Sequence, residues 1–504
     1  MVRLLFRIKV EQFGVTAKML AGQTLRSLDR PLFIALALGA GGVASLLVML
    51  IDNPLHLLVA VAGVLTVIGM TLNPELGLLV LVFTTYTRFS DIMIKYHGMP
   101  SVAKLLVPLL FGLVVVRWVW SGKRPRGWRR SLLIVTGYGF IGFLSLLYAS
   151  DFERTEEALI SYAKDATIAV LATILIHRAA TFRRVIWTLL AVGIFLGTIS
   201  VYQHLSGTFE NEYWGFGQAK IRNIVGRVED YRISGPLGGP NEYAQMLVVL
   251  VPLALDRLWG ERTRLLRVFA AWALVVCVLS IVFTFSRGGF IALVGTLMVM
   301  FIRRPPGLLA LLITIMVAVP LVQFIPEQYT ERMQTVVDLF PGSEQDAREE
   351  ISFRGRLSEN TSAWLMFTDR PLLGVGLDNF PIYYQEYSRR LGLDPRREIR
   401  SAHSLYLQIA ADQGLLGLTA FGVVLWIVFR GMHKGYQDFI RAGSPDYANM
   451  TVALSVGIIG FLIGGIFLHL IYPRFLWLLI GIALAVPHVA KRELRERGEA
   501  LDRV

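Results

Sequence analysis

Apolar runs of about 18 or more residues recur along almost the whole chain, each long enough to cross a hydrocarbon layer ~30 Å thick. A soluble fold could not bury so many helices that are apolar on every side. Of the 504 residues, 54% are hydrophobic and 17% charged. Length alone, at ~150 residues per domain, would suggest soluble domains, and the hydropathy pattern overrides that estimate. The expected fold class is an all-α polytopic membrane protein with about twelve to fourteen transmembrane helices and a large helical loop on one side.

Spans are predicted at 31–51, 54–72, 75–88, 101–120, 131–149, 161–178, 183–204, 241–258, 266–285, 288–302, 307–325, 415–432, 449–469 and 474–489. Residues 1–30 mix basic and apolar side chains without the compact apolar stretch of a signal peptide, and read as an amphipathic segment on a membrane face. With the N-terminus cytoplasmic, the short segments on that side hold 28 of the 50 Lys and Arg residues. The segment 326–403 falls on the opposite side and carries ten Lys/Arg against thirteen Asp/Glu. Basic short loops inside and a slightly acidic long loop outside fit the positive-inside rule, with both termini cytoplasmic. The net charge of +13 is thus an orientation signal and not a nucleic-acid footprint. The single cysteine, Cys277, lies within an apolar run and permits neither an intrachain disulfide nor a thiolate cluster.

The organisation expected is a cytoplasmic segment 1–30, transmembrane helices across 31–325 that include an outer loop 205–240, a loop subdomain 326–403, C-terminal helices 404–490 and a basic tail 491–504. Loops as long as 205–240 and 326–403 are usually functional. Within the second, 356–368 and 379–391 have helical spacing. The same outer face collects Arg232, the turn Ser286-Arg287-Gly288-Gly289, Arg354, Arg356 and His403. Each has a bland reading: arginines snorkel to phospholipid, glycines serve a hairpin, and a lone histidine is more often structural than catalytic.

The chain resembles the O-antigen ligase and polymerase family of bacterial envelope enzymes. The matching motifs are RISGPLGGPN (232–241), FSRGG (285–289), Arg356 with Trp364 and PLLGVGLDNF (371–380), and AHSLYLQIAADQGLLG (402–417). The resemblance implies a GT-C-like membrane glycosyltransferase of the inner membrane with its active site on the periplasmic side. It further implies an undecaprenyl-diphosphate-linked glycan donor and a glycan or lipid A core acceptor, in contact with membrane lipid and without nucleic acid.

In such a reaction a sugar hydroxyl attacks the anomeric carbon and the lipid diphosphate leaves, inverting the centre. Arginine suits the growing charge because its planar fork matches phosphate oxygens and keeps its proton. Arg232 and Arg356 are assigned to the diphosphate, with Arg287 as a weaker third and Arg354 as a substitute for Arg356. His403 is the candidate general base. Asn241, Trp364 and Asp378 are secondary candidates. No carboxylate pair has convincing metal-ligand spacing, so neither a metal nor another cofactor is expected. A lipid-linked-glycan flippase, a protein O-oligosaccharyltransferase and a lipid-binding scaffold are the alternatives. Lys104, Lys164 and Asp165 are the sparse hints of a transport path.

Overall fold

The computed structural model describes residues 54–122, 124–225, 228–324, 351–392, 400–469 and 473–501. The predicted segment 1–30, the span 31–51 and the first part of the long loop, through residue 350, lie outside the described residues. The chain divides into two units, residues 1–73 and 74–504. In the first, Pro54–Leu72 is one continuous apolar helix.

The second unit is a helical bundle. Every predicted span from 75 onward coincides with helix. Among the described residues, eight helices are long and apolar enough to cross a membrane, or nine if Pro74–Tyr86 and Phe89–His97, bent by 59°, form one span. The all-α polytopic class is borne out. Local chemistry marks the helix starts. Asp151 accepts the Arg154 amide at 3.0 Å to cap Phe152–Leu175, and Ser286 accepts the Gly289 amide at 3.1 Å to cap Arg287–Arg303. Pro240, Pro445 and Pro473 occupy first-turn positions, where the missing N–H costs nothing.

Helices in lipid gain little from apolar burial against each other and associate through close packing. Pro473–Leu501 packs between Phe152–Leu175 and Leu405–Arg441. Gly481 meets the Ala169 carbonyl so closely that a methyl group would collide with it. Tyr138, Tyr162 and Trp477 form an aromatic cluster nearby, with Trp477 ring centroids 5.5 and 5.2 Å from the two tyrosines.

The two ends of the bundle differ. One is knitted by ion pairs around the buried Arg257, which lies 2.6 Å from Asp256 and 2.8 Å from Asp446, while the partly exposed Arg183 reaches Glu261 at 2.6 Å. The other end gathers residues 148–155, 205–241, 284–289, the helices Ile351–Asp369 and Phe380–Leu391, and the segment 464–469. Those two loop helices cover the stretches that show helical spacing, and they share a small core of Ala363, Met366, Phe380 and Tyr384.

One departure from helix is a β-hairpin, Gln218–Val225 paired antiparallel with Val228–Gly235. Short runs of alternating apolar and polar residues (AKIR at 219–222, DYRIS at 230–234) support it, a period of two that the loop reading of 205–240 passed over. Arg232 therefore lies on a strand rather than in a loop.

Candidate functional site

The strand fixes Arg232 by its backbone, and two neighbours fix its side chain. Its Nε donates to the Thr284 carbonyl at 2.7 Å, and a terminal nitrogen donates to Asn241 Oδ1 at 3.1 Å. Arg232 as a whole is 6% exposed. Thr284 opens the FSRGG turn, where Phe285 takes a positive φ of 49° and Ser286 starts the next helix. Two motifs far apart in sequence, RISGPLGGPN and FSRGG, are thus joined by one side chain.

Asn241, Ser286, Arg287 and Arg356 line one small pocket with Gln245 and the apolar edge of Phe467 and Leu468. No carboxylate belongs to its wall among the described residues. Two guanidinium groups and the amide-rich start of the 287–303 helix therefore face the same space, a setting that favours an anion. Arg354 lies on the Ile351–Asp369 helix, and its side chain is outside the described residues. Trp364, on the same helix, is 53% exposed and packs beside Phe367 at 5.6 Å.

His403 sits in the turn before Leu405–Arg441. That turn is pinned to the edge of the arginine pocket, since the Leu405 amide donates to the carbonyls of Gly465 at 2.7 Å and Leu468 at 3.0 Å. Nδ1 of His403 lies 2.6 Å from Oε2 of Glu359, and Arg400 holds the other carboxylate oxygen at 2.6 Å. Glu359 is 1% exposed. Burial alone would raise its pKa, but the contacts with His403 and Arg400 outweigh that and hold it below the usual carboxylate range. The His403 ring centroid is 5.8 Å from that of His469. Burial pushes the His469 imidazole down to about 4, with His403 adding to the shift and Glu359 opposing it. His469 is therefore neutral near pH 7.

Asp378 has a different role. Its backbone has a positive φ of 57°, and its carboxylate pairs with Arg154 at 3.0 Å. Burial raises its pKa, partly offset by Arg154. Asn379 beside it accepts the Asp151 amide at 2.9 Å and donates to Thr155 Oγ1 at 2.8 Å, so this pair docks the loop onto a span.

The PLLGVGLDNF and AADQGLLG motifs also meet. The helix 405–441 breaks at Gly414, where φ is 61° and ψ is −156°, a conformation essentially restricted to glycine. Through the break runs a ladder of backbone bonds. The Val375 amide donates to Ala411 at 2.8 Å, Gly376 to Asp412 at 2.9 Å, and Leu415 to Pro371 at 2.7 Å. Gly374 lies against the Ala411 carbonyl, with no space for a side chain. Asp412 secures the crossing by accepting the Phe380 amide at 2.9 Å and a Gln408 donor at 2.7 Å.

Two histidines outside this cluster, and Asp165 among the hints of a transport path, make structural contacts. His97 meets the Trp214 carbonyl at 3.1 Å, His204 stacks on Phe283 at 3.8 Å, and Asp165 pairs with Arg474 at 3.0 Å. Among the described residues, no group of three or more His, Cys, Asp or Glu side chains is arranged to hold a metal ion. Glu359 was missed by the sequence reading. Its signal was a carboxylate on an otherwise weakly charged helical stretch, three residues from Arg356.

The fold and this cluster define a multi-pass membrane protein whose polar side chains converge at one end of its bundle. Residues 272–422 match the Wzy_C family, O-Antigen ligase, which supports placing the chain in the O-antigen ligase and polymerase family. The matched region holds Arg287, Arg356, Glu359 and His403, while Arg232 and Asn241 precede it. A chain from the structure described as "Structural coordination of polymerization and crosslinking by a peptidoglycan synthase complex" is similar at 14% identity with a TM-score of 0.37, covering 73% of this chain and 97% of that one. No curated protein matches the chain.

Proposed function

We propose that the chain moves a glycan from undecaprenyl diphosphate to an acceptor sugar hydroxyl at the periplasmic membrane face, with inversion and without a metal. The matched domain supports O-antigen-ligase-type glycosyltransferase activity in general. The observation that carries the finer reading is the juxtaposition of a pocket holding Arg287 and Arg356, lined by no carboxylate among the described residues, with the His403–Glu359 pair beside it.

In this reading Arg287 and Arg356 receive the diphosphate oxygens. Arg232 supports them through Asn241 and the FSRGG turn. Donors preorganised at a developing charge contribute ~10²–10³ each in rate. Glu359 favours the His403 tautomer with its proton on Nδ1, leaving the Nε2 lone pair to accept the acceptor's hydroxyl proton. The hydroxyl oxygen bonds to the anomeric carbon as the bond to the diphosphate oxygen breaks. That oxygen leaves with the electron pair.

The deciding experiment supplies purified protein with a lipid-diphosphate-linked glycan and an acceptor, with and without EDTA. A new glycosidic bond and released undecaprenyl diphosphate, resistant to EDTA and reduced ~10²–10⁴-fold in His403→Ala, is the expected result. Full turnover by His403→Ala would remove the base assignment. Donor crossing vesicles with no bond made would replace the enzyme with a flippase. Lipid A core, a second lipid-linked repeat unit and a Ser/Thr peptide, offered in parallel, divide ligase, polymerase and protein glycosylation.

A further inference from the structure

A second, larger cavity of about 400 Å³ and the arginine pocket are both lined by residues of the 464–469 segment. The helices 128–144, 152–175, 405–441 and 473–501 enclose it, and its size falls in the ordinary range of ligand pockets. Its wall has two kinds of side chain. Tyr138, Tyr162 and Trp477 supply aromatic surface, while Glu157, Gln408 and Gln413 supply hydrogen-bonding groups.

Among the described residues its lining includes no lysine or arginine, in contrast to the arginine pocket. Glu157, Asp378 and Asp412 make it hostile to a diphosphate. An acyl chain would leave Gln413 Oε1 and His469 Nδ1 buried without partners, which is costly. A neutral polyhydroxylated ring satisfies both halves, laying its C–H face on an aromatic ring and its hydroxyls on carboxylate and amide groups. Gln413 points to the same occupant. It is 4% exposed, and its Oε1 has no hydrogen-bond partner in the structure. His469 closes the cavity on the side of His403, and its Nδ1 is likewise without a hydrogen-bond partner.

We infer that this cavity binds the neutral sugar end of the acceptor glycan and delivers its hydroxyl past His469 towards His403. The inference rests on the glycosyltransferase reading for its catalytic meaning, but the cavity's preference for neutral sugar is independent of turnover. The two pockets then divide the work: arginines take the charged donor and aromatics with amides take the uncharged acceptor, with the histidines at their shared border.

The test has a binding arm and a kinetic arm, both on the full chain in a detergent without a sugar headgroup. Saturation-transfer NMR is run with a panel of neutral methyl glycosides and trisaccharides, with inorganic pyrophosphate as competitor. Gln413→Met and Trp477→Leu, each checked for a native thermal transition, serve as variants so that one misfolded protein does not decide the result. Expected is saturation of at least one neutral glycoside, weakened about tenfold in both folded variants and unaffected by pyrophosphate. No saturation by any panel member, equal binding by the folded variants, or displacement by pyrophosphate overturns the inference. In the kinetic arm the variants should raise acceptor KM about tenfold with donor KM unchanged, the signature of lost ground-state binding. A rise in donor KM instead of acceptor KM overturns it. Sugar binding by a wild-type protein that forms no glycosidic bond removes the glycosyltransferase reading while leaving the cavity a glycan site.

Discussion

Glu359, forty-four positions before His403 in the chain, faces its Nδ1 with Oε2 at 2.6 Å. The carboxylate is buried and held from its other side by Arg400, so the imidazole is oriented by a group that is itself oriented. Glu359→Gln should lower kcat by ~10² while donor KM stays within about twofold, because the residue acts through His403 rather than on the substrate. Glu359→Asp should recover part of the loss. Steady-state kinetics of the two variants checks this. Equal loss in both, with a lowered thermal midpoint, would make Glu359 a folding residue only.

Arg232 donates to a carbonyl and to an amide oxygen in different directions, a fork that lysine cannot reproduce. Arg232→Lys is therefore expected to fail nearly as badly as Arg232→Ala, with kcat/KM for donor down ~10²–10³. For Arg356, which lines the pocket wall, lysine should restore some donor use, since its charge still reaches the pocket. Donor-dependent release of undecaprenyl diphosphate measures both, and a Lys variant at 232 with wild-type kinetics would refute the fork argument.

Gly414→Ala places a Cβ against the Leu372 backbone at a φ of 61° and ψ of −156°. A cost of at least ~1–3 kcal/mol is expected, together with loss of the loop crossing and of activity. Gly422→Ala on the same helix has open space around it and should be neutral or slightly stabilising. Thermal unfolding of the two variants in detergent gives the comparison. Indistinguishable midpoints would show that the crossing is not required for stability.

Acidification should destabilise this end of the bundle in two steps. Burial lowers His469 to about 4 from an ordinary 6.5, so between those values the unfolded chain binds more protons than the folded one. Its contribution is complete above about 6.5 and is lost as pH falls towards 4. Glu359, held below its ordinary 4.5 by His403 and Arg400 against the effect of burial, contributes above that value and is lost as pH falls through the depressed one. Thermal midpoints measured from pH 7.5 down to about 3 should fall with pH, and His469→Phe should flatten the upper part of the curve. An unchanged slope in that variant would assign the loss to other groups.

Much of the architecture was legible in sequence because lipid imposes a simple rule: a spanning helix must be apolar for its full length. That rule placed the helices from 75 onward and separated the loops of the two bundle ends. The hairpin at 218–235 escaped it, since a short two-residue period inside a polar loop carries no lipid signal. The candidate arginines and His403 were legible as residue types. Their arrangement was not, because it depends on contacts between segments far apart in the chain.

The glycines of DQGLLG show the same boundary. In the sequence, Gly414 and Gly417 suggest close packing of one helix on another. In the structure, Gly414 breaks its helix so that the 371–376 segment can pass, and Asp412 fastens the crossing. Composition and hydropathy determined a polytopic helical membrane protein, because transfer into lipid is decided residue by residue along the chain. Tertiary structure alone decided that Glu359 would meet His403, that Arg287 and Arg356 would share one pocket, and that Asp378 would dock a loop. A side chain's electrostatic role is set by what lies within a few ångströms of it, and here those neighbours come from segments far apart in the chain.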